Sequence, residues 1–249
     1  MNIIIKTPEE LRIMRKAGEM LHFVQEELKS QIKEGVSLLD LDKLAEKIIR
    51  SQGATPSFKG FSGFPATLCT MINSEVVHGI PDERLLKNGD LLSVDCGVKF
   101  NGFHADAAFS VIVGGDETNP ARAKFSNVVK EALMAGCDAA KVGNRVGDIG
   151  AVIEKIILRN GHSICREYTG HGLGRDLHED PHVFNYGPSG QGARLVAGMT
   201  IAIEPIVASG GGKVKTLSDG WTVVTVDGRD ACQWEHCGVV TANGLEIFA

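Results

Sequence analysis

Two aspartates in the stretch 91–113 have a spacing that could hold a metal ion. The dipeptide Asn101-Gly102 separates two β-rich runs and is typical of a two-residue type I′ hairpin turn. Counted from that turn, Asp95 faces Ala108, and Asp106 stands one diagonal step away on the same face. Such diagonal neighbours lie roughly 7–8 Å apart at the backbone, so the two carboxylates can close on one or two ions. Without a cation they would repel each other, and one would tend to take up a proton.

Further residue types that bind metals occur in the second half of the chain. His171 lies among glycines in YTGHGLG (168–174), where the backbone can approach a ligand closely. Glu204 follows an apolar run, and Glu235 lies in another, so burying either carboxylate is costly unless it is paired or metal-bound. Each residue alone could be structural or lie at the surface, but together they favour a metal site. Carboxylates with one imidazole suit Mn, Fe(II), Co or Zn, and a pair of such ions about 3.5–4 Å apart activates a water.

The elements that must position these residues include an internal repeat. The stretch 35–53 matches 143–161 at seven of 19 positions, 108 residues further on, and 89–95 matches 198–204 at an offset of 109. The second match places Glu204 where Asp95 stands in the first half. We therefore predict a duplicated unit of two helices plus strands, with halves of approximately 1–118 and 119–249 in a single domain. Such halves would form one curved antiparallel sheet of the α+β class, with helices on its outer face and a cleft between them.

Local signals predict four helices. Thr7-Pro8 and Asn119-Pro120 each combine an N-cap residue with proline at the first helical position. Apolar residues repeat with helical spacing over 41–49 and again over 149–157. The stretch 54–80 contains aromatic residues and His78, and it is predicted to be loop-rich. His104 lies near the hairpin turn, and we expect it at the rim of the cleft or in solvent.

Composition excludes several classes of function. A net charge of −5 over 249 residues gives no electrostatic footprint for nucleic acid. No apolar run is long enough for a signal peptide or a membrane span. The six cysteines show no CxxC motif and no framework spacing, so we expect small buried side chains in a reducing, cytoplasmic setting.

The ordered motifs VDCGVKFNGFHADAA, TGHGLG, AIEP and QWEH resemble those of the type I methionine aminopeptidases, which belong to the pita-bread (M24) metallopeptidases. The resemblance covers essentially the whole chain and implies a pita-bread fold. It also implies five ligands for two divalent ions, with Co, Mn, Fe(II) and Zn as the candidate metals. These ligands are Asp95, Asp106, His171, Glu204 and Glu235. Asp106 and Glu235 would bridge the ions, Asp95 would complete one site, and His171 with Glu204 the other.

The same resemblance implies the substrate site. His78 and His178 match the two histidines of the family that contact substrate. The pocket for the methionine side chain would consist of Phe61, Phe64, Cys69, Leu177 and Trp221. Catalysis would begin with a metal-bridging hydroxide attacking the first peptide carbonyl, while Glu204 shuttles the proton and His178 stabilises the oxyanion. The expected reaction is removal of the N-terminal Met from nascent proteins and peptides when the second residue is small.

The resemblance also implies transient association with the ribosome and a monomeric state. Two alternatives remain, an X-Pro-cleaving relative and a non-catalytic pita-bread protein that binds partners. The chain departs from the family at several places, since the family often has Tyr at positions 61 and 64 and Phe at position 177. Positions 71 and 237, Met and Cys here, are commonly Ser and Thr. These departures concern the shape of the pocket and no implied metal ligand.

Overall fold

The computed structural model describes residues 2–249 and contains four α-helices in that range. The helices are α1 (Pro8–Gln31), α2 (Leu38–Ser51), α3 (Pro120–Ala139) and α4 (Val146–Arg159). None of these described helices is both long and apolar enough to cross a bilayer.

The rest of the regular structure in the described residues consists of strands and of two short 3₁₀ helices, Phe61–Gly63 and Asp116–Thr118. The strands are β1 (Thr55–Pro56), β2 (Leu68–Ile72), β3 (Glu75–Val77), β4 (Leu91–Phe100), β5 (Phe103–Ile112), β6 (Ser163–Ile164), β7 (Gly170–Gly172), β8 (Glu179–Val183), β9 (Thr200–Ile203), β10 (Ile206–Ala208), β11 (Val214–Thr216), β12 (Val223–Thr225), β13 (Ala231–Gln233), β14 (His236–Val240) and β15 (Leu245–Ile247). All ladders between these strands are antiparallel.

Helix starts follow the capping signals of the sequence. The Thr7 hydroxyl accepts from the backbone N–H of Glu10, and the Glu10 carboxylate accepts from the N–H of Thr7, which completes a capping box. The Asn119 side chain accepts from the N–H of Arg122 at the start of α3. These caps satisfy backbone donors that have no partner within the helix, and both predicted starts are confirmed.

The helical stripes that were predicted from the repeat are buried. Leu41, Ala45 and Ile49 of α2 are at most 1% exposed, and Ile149 and Ile153 of α4 are fully buried. Both ends of α4 lie 108 residues after the corresponding ends of α2. This correspondence supports the duplication, which stays a prediction.

Two strands, β4 and β5, form the hairpin that the Asn-Gly turn predicted. Phe100 pairs with Phe103, and Asp95 pairs with Ala108, so the predicted register is confirmed. Asn101 and Gly102 have φ values of 47° and 84°, as both central residues of a type I′ turn require. The turn therefore determines which face of the hairpin carries the aspartates.

Positive φ at Gly102 leads to a prediction about stability. A Cβ there would meet nothing within 4 Å, so Gly102→Ala should act through backbone strain alone. We expect a loss of about 1 kcal/mol, a melting temperature lower by about 2–4 °C and unchanged activity in thermal unfolding and peptide assays. Gly172→Ala is the contrasting variant, because its Cβ would lie 2.2 Å from the Asp180 carbonyl oxygen and should disrupt folding. An equal effect of the two substitutions would contradict this interpretation.

The stretch 54–80 is loop-rich, as predicted, although it also contains β1, β2 and β3, and the five residues of β2 pair with β4. The expectation for His104 was wrong. His104 is 5% exposed rather than solvated, and its Nδ1 lies 2.9 Å from the Ser57 hydroxyl. Its backbone N–H also donates to the carbonyl of Gly174 at 2.8 Å, so a neighbouring loop covers it.

Candidate metal centre and cleft

The two halves of the chain meet beside the hairpin. The backbone N–H of Glu235 donates to the Ala108 carbonyl at 2.9 Å, and the N–H of Ala108 donates back to the Glu235 carbonyl at 3.3 Å. Glu235 lies between β13 and β14, so this pair of bonds joins the second half of the chain to β5. It thereby places the Glu235 side chain next to that of Asp106.

His171 and Glu204 approach the same point from β7 and from the end of β9. Gly172 pairs with Ile201, which aligns these strands. Gly170 is required here, because a Cβ would lie 2.4 Å from the Ala202 carbonyl oxygen. With the strands this close, His171 Nε2 lies 3.6 Å from Glu204 Oε1 and 4.0 Å from Asp106 Oδ2.

Three of these residues form a compact donor set. One potential ligand atom from each of Asp106, His171 and Glu235 lies within 4.8 Å of the others, and all three residues are buried. Buried carboxylate oxygens with no hydrogen-bond partner are found at Asp95 Oδ1, Asp106 Oδ1 and Glu235 Oε1. Such orphaned oxygens are unfavourable in a protein interior unless a cation pairs with them. The residues present therefore fit a divalent metal.

Electrostatics in this cluster favour the same conclusion. Burial raises the pKa of Asp95 to about 7. Burial and the charges of Asp95 and Glu204 raise the pKa of Asp106 well above its usual range. The pKa values of Glu204 and Glu235 are raised in the same way, by burial first and by the neighbouring carboxylates second. Without a cation, this site therefore holds protons at neutral pH.

His171 presents a lone pair to the carboxylates. Its Nδ1 lies 2.9 Å from the Gly172 carbonyl, and because a carbonyl only accepts, Nδ1 carries the proton. Burial lowers the pKa of His171 to about 3, which keeps the ring neutral. Its Nε2 is therefore an unprotonated donor atom facing carboxylate oxygens, as expected of a metal-ligating histidine oriented by a backbone hydrogen bond.

Raised carboxyl pKa values predict that metal binding releases protons. Metal ligation needs the ionised carboxylates, so an ion must displace the protons that the metal-free site holds at pH 7. We expect release of at least one proton per protein at pH 7 and tighter binding as the pH rises from 6 to 8. Calorimetric titration with Mn²⁺ in buffers of different ionisation enthalpy measures the count. A pH-independent affinity with no proton release would contradict the raised pKa values.

All twelve residues singled out in the sequence line one cavity of about 570 Å³. Besides the five carboxylate and imidazole residues above, they are Phe61, Phe64, Cys69, His78, Leu177, His178 and Trp221. The structure thus brings together residues from both halves of the chain. The role of each residue stays a prediction.

One wall of the cavity is apolar and aromatic. Phe64 and Trp221 meet edge to face with ring centroids 5.1 Å apart. Cys69 and Leu177 are at most 5% exposed and belong to the same cluster of side chains. A polarizable, unbranched side chain fits such a wall of aromatic rings, sulfur and Leu.

His78 and His178 line the same cavity. The His178 ring lies 4.4 Å from the His171 ring and 5.2 Å from the Phe61 ring. His78 has a φ of 59°, which is uncommon for a residue other than glycine, and its ring packs edge-on against Tyr168. Strained backbone of this kind clusters at functional sites.

Gln233 is a cleft residue that the sequence reasoning missed. Its side-chain Nε2 lies 3.4 Å from Asp95 Oδ2 and 3.5 Å from Glu204 Oε2, while its Oε1 is buried without a partner. The amide thus reaches one carboxylate from each half of the chain. The only signal for Gln233 in the sequence is its place two residues before Glu235 in the QWEH motif. Phe58, Tyr168, His182 and Ile206 also line the cavity and carried no comparable signal.

An antiparallel α+β fold with a buried carboxylate–imidazole cluster in its central cleft is the arrangement of a metallopeptidase. The sequence model of the family "Metallopeptidase family M24" matches residues 12–242, and the chain belongs to this family. Its pita-bread fold is the one predicted from the motifs.

Within this family, the chain is similar to proteins that are named methionine aminopeptidases. The chain is similar to "Methionine aminopeptidase 1" of Bacillus subtilis, with 47% identity over 99% of this chain and 98% of the relative. Among solved structures, methionine aminopeptidase from Thermotoga maritima matches with a TM-score of 0.96 and 40% identity over 99% of each chain. The enzyme of the same name from Rickettsia prowazekii matches with a TM-score of 0.95 and 35% identity, again over 99% of each chain.

Proposed function

We propose that the protein is a methionine aminopeptidase, which removes the N-terminal Met of polypeptides whose second residue is small. The single observation that carries the proposal is the cavity of about 570 Å³, in which the carboxylate–imidazole cluster adjoins an apolar aromatic wall. The similarity to methionine aminopeptidases over 99% of the chain supports it.

The residues that would hold metal are those of the cluster. Asp106 and Glu235 would bridge two divalent ions, with Asp95 completing one site and His171 with Glu204 the other. When bound, such ions lower the pKa of a water and polarise the carbonyl to be attacked. The donor set of carboxylates and one imidazole suits Mn, Fe(II), Co or Zn.

Protein groups would perform the remaining steps. The Met side chain would bind in a pocket that also orients the first peptide bond and consists of Phe61, Phe64, Cys69, Leu177 and Trp221. Glu204 would accept the proton of the attacking water and pass it to the leaving amine, because its carboxylate lines the cavity within the cluster, 3.6 Å from His171. His178 would donate to the oxyanion, and His78 would hold the following peptide unit.

The cellular setting is a further part of the proposal. We propose a monomer that acts in the cytoplasm on nascent chains, with transient contact to the ribosome. The basis of this part of the proposal is the resemblance of the motifs VDCGVKFNGFHADAA, TGHGLG, AIEP and QWEH to those of the type I methionine aminopeptidases.

Release of free Met from the peptide Met-Ala-Ser tests the proposal. The protein is stripped with a chelator and then assayed with Mn, Co, Fe(II) or Zn restored in turn, with Met-Leu-Ser and Ala-Pro as comparison substrates. We expect metal-restored release from Met-Ala-Ser and little from the others. Cleavage of Ala-Pro instead would indicate an X-Pro peptidase, and no cleavage with any metal by the folded protein would indicate a binding protein.

A further inference from the structure

A buried ion pair lies outside the metal cluster, near the loop that carries His178. Lys6 Nζ and Glu179 Oε2 are 2.5 Å apart, and their side chains are 2% and 4% exposed. Removing two charges from water is expensive and is offset only by close, well-oriented partners. A pair this buried therefore indicates that the backbone around Lys6 and Glu179 holds the two charged groups in a fixed relative position.

The segment 2–6 is anchored by its backbone on both sides. The N–H of Lys6 donates to the Gly198 carbonyl at 2.9 Å, and Ile5 forms an antiparallel bridge with Met199. Ile3 forms a parallel bridge with Asp180, next to Glu179. These backbone contacts therefore fix the position of Lys6 independently of the ion pair that its side chain forms.

Glu179 extends the anchor into the neighbouring loop. Its Oε1 accepts from the backbone N–H of Arg175 at 2.9 Å and from that of Asp176 at 3.4 Å, while its other oxygen is bound to Lys6. A Cβ at Gly174 would lie 2.4 Å from Lys6 Cε, so the loop wraps tightly around the lysine. Glu179 is thus the carboxylate that binds the loop 174–178 from within, while the His104 N–H donates to the Gly174 carbonyl at 2.8 Å and Arg175 pairs with Glu10 at 3.2 Å.

This loop ends with His178. The imidazole of His178 makes edge contacts to the rings of Phe61 and His171, and such contacts are weaker than charge-assisted hydrogen bonds. The position of the ring consequently depends on the backbone that carries it, and Glu179 is the next residue in the chain.

We propose that Lys6 is a positioning residue, which acts through Glu179 to fix loop 174–178 and hence to hold His178 against the substrate. This inference rests on the proposed function for the task of His178. The position of the loop itself can be tested without it.

Lys6→Met is the first variant, because it keeps the aliphatic length and removes the ammonium. In the metal-loaded protein we expect kcat for Met-Ala-Ser to fall about tenfold, a part of the 10²–10³-fold that loss of an oxyanion donor typically costs. KM should stay within about twofold. Lys6→Met/Glu179→Gln avoids an unpaired buried carboxylate and should fold as the unmodified protein does, with kcat still lowered. Wild-type kcat in the folded double variant would overturn the inference.

Combining Lys6→Met with His178→Ala distinguishes an effect of Lys6 on the position of His178 from a general effect on the structure. If Lys6 acts through His178, Lys6→Met should lower kcat no further in the His178→Ala background. An equal fractional loss in both backgrounds would overturn the inference.

Hydrogen–deuterium exchange tests the position of the loop independently of activity. Amides of 174–179 should exchange at least about tenfold faster in Lys6→Met/Glu179→Gln than in the unmodified protein. The matched control is Lys16→Met, since Lys16 pairs with Glu19 on the exposed face of α1, and it should change neither exchange nor kcat. Unchanged exchange in the double variant would overturn the inference, whereas absence of Met release by the unmodified protein would overturn only the proposed function.

Discussion

Replacement of Asp106 by Asn, or of Glu235 by Gln, is expected to lower Met release by at least about 10³-fold. Loss of a ligand proposed to bridge both ions removes several kcal/mol of charge stabilisation, and about 4 kcal/mol corresponds to a factor of 10³. Assays with Met-Ala-Ser at saturating Mn²⁺, together with calorimetric metal stoichiometry, measure the effect. The stoichiometry should fall along with the rate.

The fold of these variants should survive. In the metal-free protein, burial and neighbouring carboxylates already raise the pKa of Asp106 and Glu235, so their ionised forms oppose folding. A neutral amide of similar shape removes that repulsion. The metal-free variants should therefore unfold at pH 8 at a temperature no lower than that of the metal-free parent protein.

Glu246→Gln provides the matched control for Glu235→Gln. Glu246 is exposed, pairs with Arg15 and does not line the cavity, so its replacement should leave Met release unchanged. Near-parental activity of Asp106→Asn or Glu235→Gln at equal metal occupancy would contradict the bridging assignment.

The hairpin was predictable from the sequence because its register is a local property. Asn101-Gly102 specifies the turn, and counting residues from the turn places Asp95 opposite Ala108, as observed. Helix starts at Thr7 and Asn119 were predictable for the same reason, since a capping side chain bonds within its own first turn.

The contact between residues of the two halves of the chain could not be derived from the spacing of motifs in the sequence. Glu235 reaches Asp106 through backbone bonds to Ala108, across more than a hundred residues of chain. No local pattern specifies such a contact, and only the repeat and the family resemblance indicated it. The prediction that His104 is exposed was wrong. Proximity to a turn predicts exposure, whereas the loop at Gly174 covers this particular residue.

Strand β2 was missed because both of its faces are covered. Leu68, Thr70 and Met71 are at most 1% exposed, so the segment lacks the alternation of a half-buried strand. Gln233 was missed for a different reason, since an amide that reaches two carboxylates has significance only after both carboxylates have been placed.

The second large effect is expected from His178→Ala. If His178 donates to the oxyanion, its loss should lower kcat for Met-Ala-Ser by about 10²-fold, the usual cost of one such donor. KM should change little, because the donor interacts more strongly with the charge that develops in the transition state than with the ground-state carbonyl. Since burial lowers the pKa of His178 below its ordinary value, the ring is neutral at pH 7 and donates through one N–H.

Metal stoichiometry separates this role of His178 from that of a ligand. His178→Ala should bind Mn²⁺ as the parent protein does, whereas His171→Ala should lose both metal and activity. His22→Ala, an exposed substitution on α1, should leave activity unchanged. A fall in metal stoichiometry in His178→Ala would make His178 part of the metal site. A rise in KM with unchanged kcat would instead limit it to binding substrate, because an interaction made equally in both states changes affinity without changing the rate of the bound complex.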